Sequence, residues 1–471
     1  MDWDDYIEFG KKALHWGSNY RKSIRNYPVR SQLEPGHVYN SIPDLPPENP
    51  EKLDDIFEDF KTKIIPGITH WQHPRFFAYF PSNAAPASVF AEMLANTMGS
   101  QCMLWQTSPA ATELEEKIID WLRIGMGLPS GFKGVIQDTA SSATLTAVLT
   151  MREKSLDWTG NKTGLSGRSK LRIYASEEVH SSIDRAIWFS GIGEDNLVRI
   201  PVHGDLRSMD PELLKKAIQK DKQDGHVPAG IIAATGGTSS GSCDNISVIA
   251  NIAAKESLYL HVDAAWAGSA MICSENRYLW KGIEKAGSIV FNPHKWLGAQ
   301  FDCSVQFLKD PSIQKNTLSI SPEYLKTKGV DGITNLSDYT IQLGRRFRSL
   351  KLWFLIRSEG MSGLKKVIRN HVKWTENLHD RMKNLSNVEI ITSPILSLFT
   401  FRFIKNGSSN IDEINEKILA EINNEGKIYL TPTKVKNNYV IRFTAGTFEM
   451  EEADIEVAYN CIREKSESLN K

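Results

Sequence analysis

This sequence predicts an α/β protein with a mainly parallel sheet, followed by a smaller α+β domain. Two observations carry that prediction. Between residues 81 and 350, short β-branched runs alternate with amphipathic stretches: GVIQ (134–137), LRIYA (171–175), GIIAA (230–234), LYLHV (258–262) and SIVFN (288–292). Such alternation reads as strands joined by crossover helices. After about residue 350 the character shifts: ILSLFTFRFI (395–404) and YVIRFTAGTF (439–448) read as strands beside helical segments. The length of 471 residues fits one large core with appendages, at about 100–200 residues per domain.

The elements follow in order. In EKLDDIFEDFKTKII, Leu53, Ile56, Phe57, Phe60 and Ile64 fall on one helix face. Pro43, Pro46, Pro47 and Pro50 make the run before it a wrapping loop. Residues 1–80 therefore have little core of their own and are expected to lie against another surface. Ser108 and Pro109 read as an N-cap and first-turn proline, with Leu114, Ile118, Trp121 and Leu122 on one face of the helix behind them. The expected divisions are 1–80, 81–350 and 351–471.

Composition removes several function classes. Lys+Arg and Asp+Glu both total 56, a balance unlike that of proteins that bind nucleic acid by neutralising phosphates. The start, MDWDDYIEFGKK, lacks the basic n-region and apolar stretch of a signal peptide. No window approaches the roughly 18 apolar residues of a membrane helix. The five cysteines show no C-x-x-C spacing, so they read as small buried hydrophobes in a reducing cytoplasm.

The chemistry gathers at strand ends. LYLHV ends at Asp263, and SIVFN runs into Asn292-Pro293-His294-Lys295-Trp296. GVIQ leads into Asp138-Thr139-Ala140-Ser141-Ser142, and GIIAA into Thr235-Gly236-Gly237-Thr238-Ser239-Ser240. Small hydroxyl residues at a helix N-terminus leave N–H groups free for a phosphate. Phosphate, carboxylate and amine are thereby expected at one edge of the sheet. No G-x-x-x-x-G-K-[ST] exists in the chain and no G-x-G-x-x-G follows a strand. His70 and His73 give at most two ligands, so no metal site is expected. The chemistry that combines an Asp, a Lys and a phosphate cup is pyridoxal 5'-phosphate (PLP) catalysis. On pattern alone the lysine remains open to a plain solvated role.

The motifs NPHKW (292–296) and HVDAAWAG (261–268) are similar to those of group II PLP-dependent amino-acid decarboxylases, in the aromatic-L-amino-acid decarboxylase branch. NYPVRSQLEPG (26–36), PGITHW (66–71), FFAYFPS (76–82), SPAATELE (108–115), VIQDTASSATL (135–145), YASEEVHSS (174–182), FDCS (301–304) and LGRRFRSLKLWF (343–354) match in order. The resemblance implies a PLP-dependent transferase-like fold (fold type I) and a homodimer with active sites at the interface. Residues 1–80 would embrace the partner, 81–350 would bind PLP, and 351–471 would form the small domain. It makes Lys295 the lysine that carries PLP, Asp263 the partner of the pyridinium nitrogen and His180 the ring that stacks on the cofactor. Ala140, Ser141, Thr238, Asn292 and Ser82 would hold the phosphate or its surroundings, with His294 beside the lysine. Tyr324 matches the mobile-loop tyrosine that goes with simple decarboxylation, where phenylalanine goes with oxidative aldehyde formation. Trp71, Tyr79, Phe80 and Met103 would shape the substrate pocket. The implied reaction is decarboxylation of an aromatic L-amino acid (DOPA, 5-hydroxytryptophan, tryptophan, tyrosine or phenylalanine). An aromatic aldehyde synthase and a catalytically idle binding protein are the alternatives.

Overall fold

The structure is a computed structural model that describes residues 2–320, 332–405 and 407–469. The chain divides into two compact units. One comprises Met1–Pro81, Asp380–Ile391 and Phe401–Lys471; the other comprises Ser82–His379 and Thr392–Thr400.

In chain order the strands are β1 (Lys133–Gln137), β2 (Leu171–Ser176), β3 (Leu197–Ile200), β4 (Val202–His203) and β5 (Ser208–Met209). There follow β6 (Val227–Ala234), β7 (Tyr259–Asp263), β8 (Ser288–Phe291) and β9 (Ser304–Leu308). The later strands are β10 (Val388–Ile395), β11 (Leu398–Phe403), β12 (Thr431–Val435) and β13 (Asn438–Thr444). A seven-stranded sheet runs β1-β9-β8-β7-β6-β2-β3, and a four-stranded sheet runs β10-β11-β13-β12. From β8 through β7, β6 and β2 to β3 all pairings are parallel; β9 runs antiparallel between β8 and β1. Strands β7 and β8 are buried at every residue, which is why they read as continuous apolar runs.

Register places the site. Ala234 lies opposite Asp263, and Asp263 opposite Val290. Because β9 pairs antiparallel with both β8 and β1, the carboxyl end of β1 faces the same way as that of β8. Gln137 pairs with Ser304, one step beyond the Val305–Phe291 pair. The turns after β1, β6, β7 and β8 therefore leave one edge of one sheet.

The run 395–404, read in sequence as one strand, contains a turn. Ile395 closes β10 and Leu398 opens β11, with Leu396 between them at φ 55°. Hydrophobicity carries no trace of such a turn, since no Gly or Asn marks it.

One buried ion pair fixes the first strand. Arg345 Nη2 lies 2.6 Å from Glu115 Oε1, with both side chains 2% exposed. The same Arg345 nitrogen donates to Ile136 O at 2.9 Å, and Ile136 N–H donates to Glu115 Oε1 at 2.8 Å. Removing one member strands a buried charge, so Glu115→Ala is expected to cost about 3 kcal/mol, read as a lower urea midpoint. Glu115→Leu with Arg345→Met should recover part of that loss, because no buried charge then lacks a partner.

Candidate active site

Lys295 sits in the helical turn Pro293–Leu297 that follows β8. Its N–H donates to Asn292 O at 2.9 Å, and Asn83 grips the turn from outside. The Asn83 N–H donates to His294 O at 2.9 Å and its side-chain amide donates to Lys295 O. Ser82, half-buried, precedes that clamp. Asp263 ends β7 and is 9% exposed; its Oδ1 accepts from Ala265 N–H at 3.0 Å.

His180 completes a triad of charges and rings. Its Nδ1 accepts from Ser182 N–H at 3.1 Å and lies 2.9 Å from Ser182 Oγ. A backbone N–H can only donate, so Nδ1 is unprotonated and the neutral ring carries its proton on Nε2. The imidazole pKa lies below its ordinary value. Desolvation is the main cause, opposed by Asp263 and reinforced by Lys295. The ring thus senses both residues electrostatically. It is exposed to solvent while neighbouring protein still desolvates the ring.

The donor set fits PLP. The helix Ala140–Ser155 is capped by Thr139, whose Oγ1 accepts from Ser142 N–H at 3.4 Å. The N–H groups of Ala140 and Ser141 have no protein partner among the described residues, as helix geometry dictates. Asn292 Oδ1 accepts from Ser304 Oγ at 2.6 Å, which leaves Nδ2 unspent. Among the described residues, Thr235 Oγ1, in the turn after β6, is buried without a partner, and Thr238 stands three residues on in the same turn. Amide and hydroxyl donors at a helix start suit a phosphate dianion. An amine and a carboxylate on neighbouring strands suit an aldehyde and a pyridinium nitrogen.

His294, 4% exposed, is anchored on one side: its Nδ1 accepts from Cys303 N–H at 2.9 Å and its ring meets Phe301 edge-on at 4.8 Å. Burial, reinforced by Lys295, pushes its pKa down to about 3. Burial likewise pushes His261 to about 4 and His73 to about 3. These residues stay neutral in the fold, so below pH 6.5 the unfolded chain binds protons that the fold refuses. Stability should be lost as pH falls from 6.5 toward 4, by about 1.4 kcal/mol per histidine per pH unit. Asp244, raised to about 6 by burial, works in the opposite sense but is one group against three. A lower melting temperature at pH 5 than at pH 7 is the expected result; equal values would contradict these assignments.

The aromatic residues fall in the other unit. Trp71 and Tyr79 stack at 5.7 Å, both exposed at 40% and 47%. Phe80 is buried beneath the Arg442 guanidinium, 4.9 Å from the ring centroid. Arg442 also donates to Tyr79 O at 2.7 Å, holding Tyr79 at φ 36°. Met103, in the unit with Lys295, is half-exposed, and its carbonyl accepts from Ser337 N–H at 3.1 Å. Tyr324 lies outside the described residues. Sequence reasoning gave no role to Asn83, Ser182 or Ser304, although Asn83 adjoins Ser82 and the two serines close the YASEEVHSS and FDCS motifs.

Comparison with known proteins points the same way. Residues 35–404 match the pyridoxal-dependent decarboxylase conserved domain. The aromatic-L-amino-acid decarboxylase of Mus musculus is 38% identical, covering 100% of this chain and 99% of its own. A phenylacetaldehyde synthase of Arabidopsis thaliana is 36% identical over 100% of this chain and 97% of its own. The crystal structure of Oryza sativa TDC with PLP and tryptamine superposes with a TM-score of 0.96 at 32% identity, covering 100% and 99%.

Proposed function

The chain belongs to the pyridoxal-dependent decarboxylase family, and within it we propose decarboxylation of an aromatic L-amino acid to its arylalkylamine and CO2. The reading rests above all on Asp263 and Lys295 issuing from adjacent parallel strands at one sheet edge. Relatives named as aromatic-amino-acid decarboxylases over essentially the whole chain support the substrate class.

When bound, PLP supplies a conjugated ring into which the electrons of the scissile C–C bond delocalise. Each residue has one task toward that end. Lys295 Nζ would hold the aldehyde in the resting enzyme and exchange a proton with the incoming substrate amine. Asp263 would keep a proton on the ring nitrogen, since its carboxylate favours the cation. His180, neutral with Nε2 protonated, would offer a flat face and an N–H donor. Ala140, Ser141, Thr238, Asn292 and Ser82 would hold the phosphate or its surroundings. His294, braced at Cys303 through Nδ1, would line the cofactor site beside Lys295. Trp71, Tyr79, Phe80 and Met103 are the proposed specificity residues. Tyr324 would protonate the substrate α-carbon.

The second reading, an aldehyde synthase, is favoured by the phenylacetaldehyde synthase relative and opposed by tyrosine rather than phenylalanine at 324. The idle alternative conflicts with the intact Lys295, Asp263 and His180. A homodimer is supported by the helix Trp3–Ser23, which exposes Trp3 (71%), Ile7 (56%) and Leu14 (56%) on one side. A cytoplasmic location is supported by five cysteines that are all free and buried. No described helix is long and apolar enough to cross a membrane.

The test is product analysis of the PLP-loaded protein in air with a panel of L-amino acids, following amine, aldehyde and peroxide. Stoichiometric amine from aromatic substrates is expected. Aldehyde with peroxide would establish the synthase, and no turnover of any aromatic substrate would sink the assignment.

A further inference from the structure

We propose that the stacked indoles of Trp266 and Trp296, anchored by His371, set the spacing between Asp263 and Lys295, and that His371 is a positioning residue acting through Trp296. The inference rests on the function proposed above. The backbone ladder between the two strand ends finishes with Ala264 N–H to Val290 O at 3.0 Å and Asn292 N–H to Ala265 O at 2.8 Å. Beyond that point side chains take over. The Trp266 and Trp296 rings stack with centroids 5.0 Å apart and planes 19° from parallel, each residue 1% exposed. Trp296 is the immediate neighbour of Lys295, and Trp266 stands three residues after Asp263.

Trp296 has a fixed external anchor. Its Nε1–H donates to Nδ1 of His371 at 2.9 Å, and His371, 1% exposed, lies in the helical segment Arg348–Met382, after its break at Gly360 (φ 65°, ψ 159°). The two ring planes lie 11° from parallel with centroids 6.4 Å apart, and the hydrogen bond restrains the rotation of the indole. Trp266 also reaches the third wall. A Cβ on Gly236 would stand 2.9 Å from Trp266 Cε3 and 2.4 Å from Ala267 Cβ. The indole is thus seated where residue 236 has no side chain, in the turn that carries Thr235 and Thr238. One aromatic pair therefore ties together the turns bearing the carboxylate, the amine and part of the phosphate cup.

A packing role alone would lower stability and leave cofactor electronics unchanged. A positioning role alters the proton balance between Lys295 and the ring nitrogen's partner, which the visible absorbance of the bound cofactor reports. The experiment compares wild-type holoenzyme with His371→Leu, His371→Gln and Trp296→Phe. It records the pH midpoint of the visible band, PLP affinity of the apoprotein, and kcat and KM separately.

His371→Leu is expected to move the midpoint by about one unit and to lower kcat by about 10²-fold with little change in KM, the scale of a misplacement near 1 Å. His371→Gln, whose amide oxygen can accept the same indole N–H, should recover most of both. Should His371→Leu not fold, Trp296→Phe, which keeps a ring but lacks the N–H, must show the same shift. A folded leucine or phenylalanine variant with wild-type midpoint and kcat would overturn the inference, as would a glutamine variant as impaired as the leucine one. A wild-type protein without a visible band would instead overturn the proposed function, and this inference with it.

Discussion

Lys295→Ala is expected to abolish the resting visible band of the PLP-loaded protein and to lower kcat by about 10³-fold or more. The amine is held at a strand end, where a well-oriented intramolecular group is worth about 10⁵–10⁸ M in effective concentration. The substitution leaves the main chain anchored. The main-chain bonds of residue 295, its N–H to Asn292 O and its carbonyl from Asn83, do not depend on the side chain. An alanine variant with an unchanged melting temperature and lost turnover would separate chemistry from folding. A variant retaining the band would remove Lys295 from its proposed role.

Asp263→Asn is the second large effect. The amide oxygen can still accept from Ala265 N–H, so the turn keeps its geometry and only the charge goes. A charge aimed at a reacting centre in a water-poor site is worth about 10²–10³-fold in kcat. The same variant carries an internal control. Asp263 is the nearby group that raises the His180 pKa against desolvation, so its neutralisation should drive that pKa further down. Histidine NMR resonances titrated in both proteins would show it. A slow variant in which His180 titrates as in wild type would mean that the two groups do not face one site.

The strand-and-turn frame was legible because parallel strands buried on both faces leave largely apolar runs, and LYLHV and SIVFN are two of them. The positions where they end were legible too, since Asp263 directly follows LYLHV and Lys295 lies four residues beyond Phe291, in the turn after β8. What escaped the sequence lies across it. The Asn83 clamp joins residues more than 200 positions apart, and the Glu115–Arg345 pair is 230 apart. No local pattern encodes such a pairing. The hairpin inside 395–404 was hidden for a different reason: Leu396 adopts a left-handed backbone that its neighbours impose and that its own type disfavours. Trp266 and Trp296 were visible as letters in two motifs, but their stacking depends on two turns meeting in space.

Gly236 and Trp266 occupy one volume between them, with the indole lying where a side chain at 236 would stand. The constraint runs one way through descent. Ala267 Cβ stands closer still, at 2.4 Å, and the backbone at 236 is left-handed at φ 81°, so a lineage that exchanges the indole for a smaller side chain remains bound to glycine at 236. Among relatives position 266 is free to vary over a fixed glycine, and a library built for altered activity should randomise 266 and leave 236 alone.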